Sequence, residues 1–464
     1  MRSNRLFLLF GLAFVLYSSI ARADLAMDCT LYVAPDGVGL NSNNGLTPTT
    51  PKTLTGSTTV TATVPGSVVC LKGGTYNRSA IFYPPKNGTA NAWIVYKNYG
   101  DSDVNLVWTG GITPGAIIQF YQPTLPLQAK YIEVRGLKFD GGNLMGNGLF
   151  CTYSHHLRFI GNTIQNMGGA GIGTKYCDYV ISDGNRIYHN GYNQGWTSGI
   201  SYNSHRWLDT APGFHSVVVN NLISGSYDGS SNHSDGNGII MDLSNNSHDF
   251  STANTPPVLI ANNVVYENGG RCIMLGTVSN IWVVNNTCYK NALDTSNPNF
   301  GEFVTMASKN SYFINNIAYA WNNHITYDQA SPNANIVYFK NMYYGGSIDF
   351  VYSDPSQFLN ADPLFVNPPV IDPTDSWQYA TSLPPWQLGN RLVLQATSPA
   401  IDKGIDPSTL PEIPAEISAG LQLYLAMDIV GTPRPLGGPF DLGAYQYRPF
   451  TLPVSPQTIS AVSQ

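Results

Sequence analysis

The segment His233-Ser-Asp-Gly-Asn-Gly-Ile-Ile-Met-Asp242 brings one imidazole and two carboxylates into a single short run. Asp235 falls just before a turn, and Asp242 falls inside the strand that follows it. Such a pair suits two kinds of chemistry. One is a Ca2+ site at Asp235 and Asp242, because a hard cation takes several oxygen ligands from carboxylates, amides and carbonyls. The other is acid and base work on a glycosidic bond, which needs two carboxyl groups several ångströms apart. Asp-Gly-Asn-Gly is also a good turn sequence, so a turn-capping Asp235 and a solvent-facing Asp242 form the plain alternative.

Lys175 and Arg271 extend the candidate set. Elimination beside a carboxylate needs one group to neutralise that carboxylate and another to remove the α-proton. Lys175, His233 and Arg271 are residue types that fill those roles. As isolated surface charges, Lys175 and Arg271 would need no function. Tyr192, Trp196, Tyr202 and Trp207 offer flat faces for sugar rings, with the amide of Asn203 nearby. The same aromatics serve equally well to pin a loop onto a scaffold.

A repeat supplies the elements that must position these groups. Strand-like phrases end in Asn at 162, 185, 221, 263, 286, 316 and 341, with spacings of 23, 36, 42, 23, 30 and 25 residues. The short spacings match one coil of a solenoid, and the long ones a coil with an added loop. A single coil cannot bury its own apolar face, whereas stacked coils share a continuous core. Asn tolerates the left-handed backbone of a tight turn, and its amide can pair with the copies above and below. The two adjacent long spacings hold Tyr192, Trp196, Trp207 and His233, and long loops in a compact scaffold are more often functional than decorative.

A second phrase precedes most copies of the first: Gly148-Leu149, Gly171-Ile172, Gly199-Ile200 and Gly238-Ile239, with Cys272-Ile273, Phe303-Val304 and His324-Ile325 in the same frame. Alternation points the second residue of each phrase inward. The outermost column then reads Thr152, Lys175, Asn203, Asp242, Gly276, Ala307 and Asp328, and a one-residue slip would turn those side chains inward. At about 4.8 Å per coil, Lys175 and Asp242 would lie roughly 10 Å apart with Asn203 between them. The expected fold is all-β: a right-handed parallel β-helix forming one domain over residues 24–450, with modified first and last coils over the open ends of the core.

The termini and composition set the context. Arg2 and Arg5 precede an apolar run from Leu6 to Tyr17, followed by Ala21-Arg22-Ala23, which reads as a secretory signal over residues 1–23. Secreted or periplasmic localisation is therefore expected, with no membrane span and a monomer in solution. Residues 451–464 read as a loose tail. Removing residues 1–23 takes three arginines and no acid, leaving 20 basic against 29 acidic residues, a net charge of −9. That balance argues against a nucleic-acid partner. An acidic polysaccharide stays open, because a local basic patch or a bound cation reverses the field in a groove. Of the 6 cysteines, Cys29 and Cys70 flank the first strands and make the best disulfide pair. Cys151, Cys177, Cys272 and Cys288 fit either further disulfides or buried thiols.

Leu31-Tyr-Val-Ala-Pro-Asp-Gly37, Asn43-Asn-Gly-Leu-Thr-Pro48 and Pro65-Gly-Ser-Val-Val-Cys-Leu-Lys-Gly-Gly-Thr-Tyr76 resemble the opening of secreted polysaccharide lyases of the pectate, alginate and chondroitin types. Asp362-Pro-Leu-Phe365, Ser398-Pro-Ala-Ile-Asp-Lys-Gly404 and Asp441-Leu-Gly-Ala-Tyr445 resemble their closing segment. The resemblance implies a pectate-lyase-like scaffold over about residues 31–447. It also points to the family-nine pectate lyases, which use Asp-bound Ca2+ and a Lys base. Where that family places Asp-Asp-Gly-x-Asp, this chain has Ser234-Asp235-Gly236-Asn237-Gly238, and the strand that should carry the Lys reads Asn237-Gly238-Ile239-Ile240. The leading expectation is a polysaccharide lyase acting on a uronan by β-elimination. The alternatives are a glycoside hydrolase using Asp235 and Asp242, and a non-catalytic glycan-binding solenoid.

Overall fold

A computed structural model describes residues 28–121, 128–242, 253–296, 301–330, 332–371, 382–411 and 413–449. The expected signal segment, residues 1–23, and the tail, residues 451–464, lie outside the described residues. Among the described residues, strands form sheets of twelve, nine and eleven members. The pairings between strands are parallel throughout, as in Leu157↔Val180, Ile164↔Ile187 and Ile172↔Ile200. The chain visits the sheets in a fixed cycle. Asp178–Asp183 lies in the twelve-strand sheet, Arg186–Tyr188 in the eleven-strand sheet and Ile200–Asn203 in the nine-strand sheet; Ser216–Val219 then returns to the first. The fold is the expected right-handed parallel β-helix.

Inside the coil, like residues stack on like. Ile172, Ile200, Ile239 and Ile273 form one fully buried column, each the register partner of the next. Phe303 and Tyr327 continue it, their rings stacked at 4.9 Å. Stacking excludes water from successive β-branched and aromatic side chains, which is the main favourable term in the fold.

The Asn ladder runs as the repeat implies. From Asn162 to Asn316, each main-chain N–H donates to the Oδ1 of the next ladder Asn at 2.9–3.0 Å. The side-chain amides donate to the same oxygens at 2.9–3.1 Å. The left-handed turn falls on the residue before each ladder Asn. Gly161, Gly184, Asn220, Asn262, Asn285, Asn315 and Lys340 take φ between 52° and 67°. Each Asn-Asn pair thus divides the work, the first residue turning the chain and the second bonding between coils.

The register departs from expectation at one end of the nine-strand sheet. Thr152, Lys175, Asn203, Asp242 and Gly276 align as expected, but Gly276 pairs with Met306 and Met306 with Ala330. Ala307 and Asp328 therefore leave that column. Phe303 and Tyr327 occupy the inward position that Ile273 holds one coil earlier. Burying two rings outweighs continuing the phrase in frame. Asp328 remains half-buried one column over, as the partner of Val304 and Asp349.

All six cysteines pair: Cys29 with Cys70 as expected, Cys151 with Cys177, and Cys272 with Cys288. After the last coil, the chain doubles back along two outer faces. Helix Ala415–Leu425 packs Ile417, Leu421 and Leu425 against Val217, Leu259 and Trp282 of the twelve-strand sheet. Phe365, Leu388, Leu394 and Leu442 cover Val264, Tyr266 and Tyr289 of the eleven-strand sheet. The nine-strand sheet is the one flanked by the long loops. No helix among the described residues is long and apolar enough to cross a membrane.

Candidate functional site

Strand Ile239–Asp242 organises the site. Ile239 and Met241 are buried in the core, so Ile240 and Asp242 face outward. Lys175, Asn203 and Asp242 follow one another on successive coils. Asp242 leans over the next coil. A Cβ added to Gly276 would sit 2.7 Å from its Oδ1, so the carboxylate lies close over that glycine. The Lys175 ammonium lies over the Tyr176 ring at 5.5 Å from the centroid. Asn203 Oδ1 accepts from Ser204 Oγ at 2.7 Å.

The entry to this strand holds the denser cluster. His233 Nδ1 lies 2.9 Å from Asp294 Oδ2 and 3.2 Å from the Tyr227 hydroxyl. Asp294 is only 3% exposed, whereas the His233 side chain keeps 23% of its surface. A buried carboxylate on one ring nitrogen fixes the orientation and tautomer of an imidazole. On the same turn, Arg271 Nη1 donates to the Ser234 carbonyl at 3.0 Å. Burial lowers the Arg271 guanidinium to about 10, against the opposing pull of Asp235 and Asp328. Burial raises Asp235 to about 7, a rise reduced by Arg271 and reinforced by Asp228 and Asp242. Asp235 Oδ1 accepts from the Asn237 amide at 3.3 Å.

Asp228 holds this turn in shape. Its carboxylate accepts from the main-chain N–H groups of Ser230, Ser234 and Asp235 at 3.0–3.2 Å, and from Ser230 Oγ at 2.6 Å. One buried side chain thereby satisfies several turn amides that would otherwise be costly to desolvate.

The opposite mouth, where strands leave the nine-strand sheet, is built from stacked rings. Tyr131, His156, Tyr179 and His215 stack in sequence at 4.7, 4.5 and 4.3 Å. His215 Nδ1 lies 2.8 Å from Asp178 Oδ2, with both side chains 1% exposed. Asp178 also accepts from the Leu208 N–H at 2.8 Å, tying down the loop that carries Trp207. His205 is buried between Thr174 Oγ1 at 2.9 Å and Ser216 Oγ at 3.3 Å, and burial lowers it to about 4.

The sequence-derived candidates separate into groups. His233, Asp235 and Arg271 converge at the entry turn, while Asp242, Asn203 and Lys175 line the far end of the strands. Trp196 is 70% exposed on the entry side. Trp207 lies on the exit side, edge-on to His215 at 5.2 Å. Tyr192 stacks on His189 at 3.8 Å, and its hydroxyl donates to the Gly225 carbonyl at 3.2 Å, so it braces its loop. Asp228, Asp294 and Asp178 carry roles that sequence reading missed. Tyr227-Asp228-Gly229 carried a turn signal, but Asp294 lies 61 residues from its histidine and carried none.

The Ca2+ expectation meets a donor set that does not converge. Among the described residues, the one group of three ligand-type side chains with atoms within 4.8 Å is Cys272, Cys288 and Glu302. Its two cysteines form a disulfide. Arg271 already places a cation beside Asp235, and Asp228 is occupied by main-chain donors. Asp235 and Asp242 belong to no such group among the described residues.

No protein-family model matches the chain. No curated protein matches it either. Among solved structures, the chain is similar to pectate lyase Pel9A with TM-score 0.53 and 16% identity, over 92% of this chain and 98% of that one. It is similar to a glycoside hydrolase with TM-score 0.51 and 10% identity, over 71% of this chain and 94% of that one. At such identities the likeness concerns the scaffold, and function has to be argued from the site. The chain is a parallel β-helix with the backbone architecture of a pectate lyase.

Proposed function

We propose that the chain is a carbohydrate-active enzyme that cleaves a uronan by β-elimination on the outer face of the nine-strand sheet. One observation carries this reading: an imidazole oriented by a buried carboxylate sits on a turn whose Ser234 carbonyl is bonded by the Arg271 guanidinium of the next coil. In the proposed reaction, the uronate carboxylate lies against Arg271, whose charge makes the neighbouring C–H more acidic. His233 takes that proton, the electron pair forms the new C=C bond, and the C–O bond breaks; the glycosidic oxygen leaves with its sugar and takes a proton from water. Asp294 is a positioning residue for His233. Asp235 sets the field around Arg271. Lys175, Asn203 and Asp242 contact the sugars further along the groove, with Trp196 and Trp207 at its two rims.

A second reading has its own support. Asp235, raised to about 7, retains a proton near neutral pH, as the general acid of a glycoside hydrolase must. Asp242 would be its partner. Purified protein incubated with a panel of uronans separates the two, assayed in parallel for unsaturated uronide absorbance and for new reducing ends. Absorbance that rises together with reducing ends is the expected result. Reducing ends without absorbance would transfer the proposal to Asp235 and Asp242, and silence on every polymer would favour a non-catalytic glycan binder. Chelator is expected to leave the rate unchanged, since the described donors do not converge on a cation.

A further inference from the structure

The outer face of the eleven-strand sheet carries a cleft that the cleavage reading does not use. It has a volume of about 460 Å³ and is lined by Asn105, Lys138, Asp140, Gln165, Arg186 and Trp386, among others. Register places Asn105, Lys138, Thr163 and Arg186 in one outward column, with Val107, Asp140, Gln165 and Tyr188 in the next. The two cations therefore stand two coils apart, about 10 Å at the usual spacing between parallel strands.

The wall of the cleft is an aromatic ring held in place from behind. Trp386 belongs to the short helix Pro385–Leu388 and is 46% exposed, with its ring set edge-on to Tyr188 at 5.4 Å. The chain leading to it is fixed to the scaffold. The Leu383 carbonyl accepts from Ser224 Oγ at 3.0 Å and from the Tyr266 hydroxyl at 2.8 Å, while the Leu383 N–H donates to Glu267 Oε2 at 2.8 Å. A large indole left exposed on a firmly anchored segment is a stacking platform that pays little ordering entropy on binding.

The charges in the cleft are available to a ligand. Arg186 is exposed and makes no ion pair among the described residues. Lys138 pairs with Asp103 at 2.7 Å, but both side chains are open to solvent, so an incoming carboxylate displaces that pair at little cost. Asp140, the acid of the lining, is held in place by amides. Its oxygens already accept from Gln165 Nε2 at 2.8 Å and from Asn166 Nδ2 at 3.2 Å.

We infer that this cleft is a second glycan-binding site, selective for oligosaccharides that carry carboxylates. A sugar ring stacks on Trp386 while its carboxylate, or that of a neighbouring unit, meets Arg186 and Lys138. The site lies on a different sheet from His233 and stands whether or not the nine-strand face performs elimination.

Hydroxyl-radical footprinting of the full chain reads Trp386 directly, using a pulse shorter than a turnover. Hexagalacturonate at saturation should lower Trp386 oxidation about threefold by covering the indole face, and neutral xylohexaose should leave it unchanged. Arg186→Glu should restore oxidation in the presence of hexagalacturonate. Unchanged Trp386 oxidation with the acidic probe would overturn the site, and so would protection that survives Arg186→Glu. Equal protection by xylohexaose would overturn its selectivity for carboxylates. Because the readout is local to Trp386, a failure of the elimination reading, seen as missing unsaturated product, remains a separate result.

Discussion

The two mouths of the nine-strand sheet each hold a histidine against an aspartate, and the pairs differ in what surrounds them. At the exit mouth, His215 and Asp178 are both 1% exposed, and His215 Nε2 lies 3.0 Å from the Ala211 carbonyl. Its imidazole is enclosed in a stack with Tyr179 and His156. At the entry mouth, Asp294 is equally buried, but the His233 side chain remains 23% exposed beside Arg271. An Asp–His pair is thus a structural clamp in one place and a candidate base in the other. Exposure of the imidazole and the charge next to it decide which, rather than the pairing itself.

Substitutions at the two histidines should separate these roles, beginning with the largest effect. His233→Ala removes the proposed base, and kcat should fall by roughly 10²- to 10⁴-fold, the usual share of a general base. Its thermal transition should fall by less than that of His215→Ala, since the imidazole is partly exposed and water can take its place beside Asp294. His215→Ala should do the reverse. It leaves Asp178 buried without its His215 partner, a change that costs about 3 kcal/mol and shows as a lower midpoint in chemical denaturation. The pH dependence sharpens the contrast. Burial pulls His215 down, but the Asp178 hydrogen bond and charge more than offset it and the net shift is upward. Its stabilisation should therefore be complete below the free-imidazole pKa and fade as pH rises through the higher folded value. His205, lowered to about 4, behaves oppositely: its contribution is present above the free value and lost as pH falls toward about 4.

Smaller effects are expected away from the two histidines. Burial raises Glu302 to about 8, while its oxygens accept from the Asn291 N–H at 2.8 Å and the Asn291 amide at 2.7 Å. An acid whose folded pKa is raised favours the native state at low pH, and that contribution declines as pH rises from its free value toward about 8. Glu302→Gln should flatten the slope of stability over that window at a cost of about 1 kcal/mol for one weakened hydrogen bond. Trp196→Ala should leave stability unchanged, because the ring is already 70% exposed. Loss of a stacked ring worth about 1 kcal/mol should raise KM roughly fivefold.

The scaffold was legible in the sequence because its determinants recur. The Asn at 162, 185, 221, 263, 286, 316 and 341 marks each coil, and alternation from Gly148 to Gly276 places Lys175, Asn203 and Asp242 on one outer column. The frame slipped where Phe303 and Tyr327 replaced aliphatic residues, because burial of large rings set the register there. His233 and Asp235 were visible as chemistry-bearing types around one turn, with Arg271 before the strand of the next coil. Their partners were hidden for a physical reason. Asp294 reaches His233 from a loop two coils on, and Asp178 reaches His215 across 37 residues. Stacking coils of unequal length brings such residues together, and no local pattern records it. Asp228 sits in a Tyr-Asp-Gly turn sequence, and its bonds to the Ser234 and Asp235 amides fix the turn that presents the candidate base.

The most direct measurement compares wild type with His233→Ala on the responsive uronan, recording unsaturated product and substrate binding together. The account expects wild type to form unsaturated uronide, and the variant to lose that product at least about 100-fold while binding is retained. Undiminished unsaturated product in the variant, or reducing ends without unsaturation in the wild type, would contradict it.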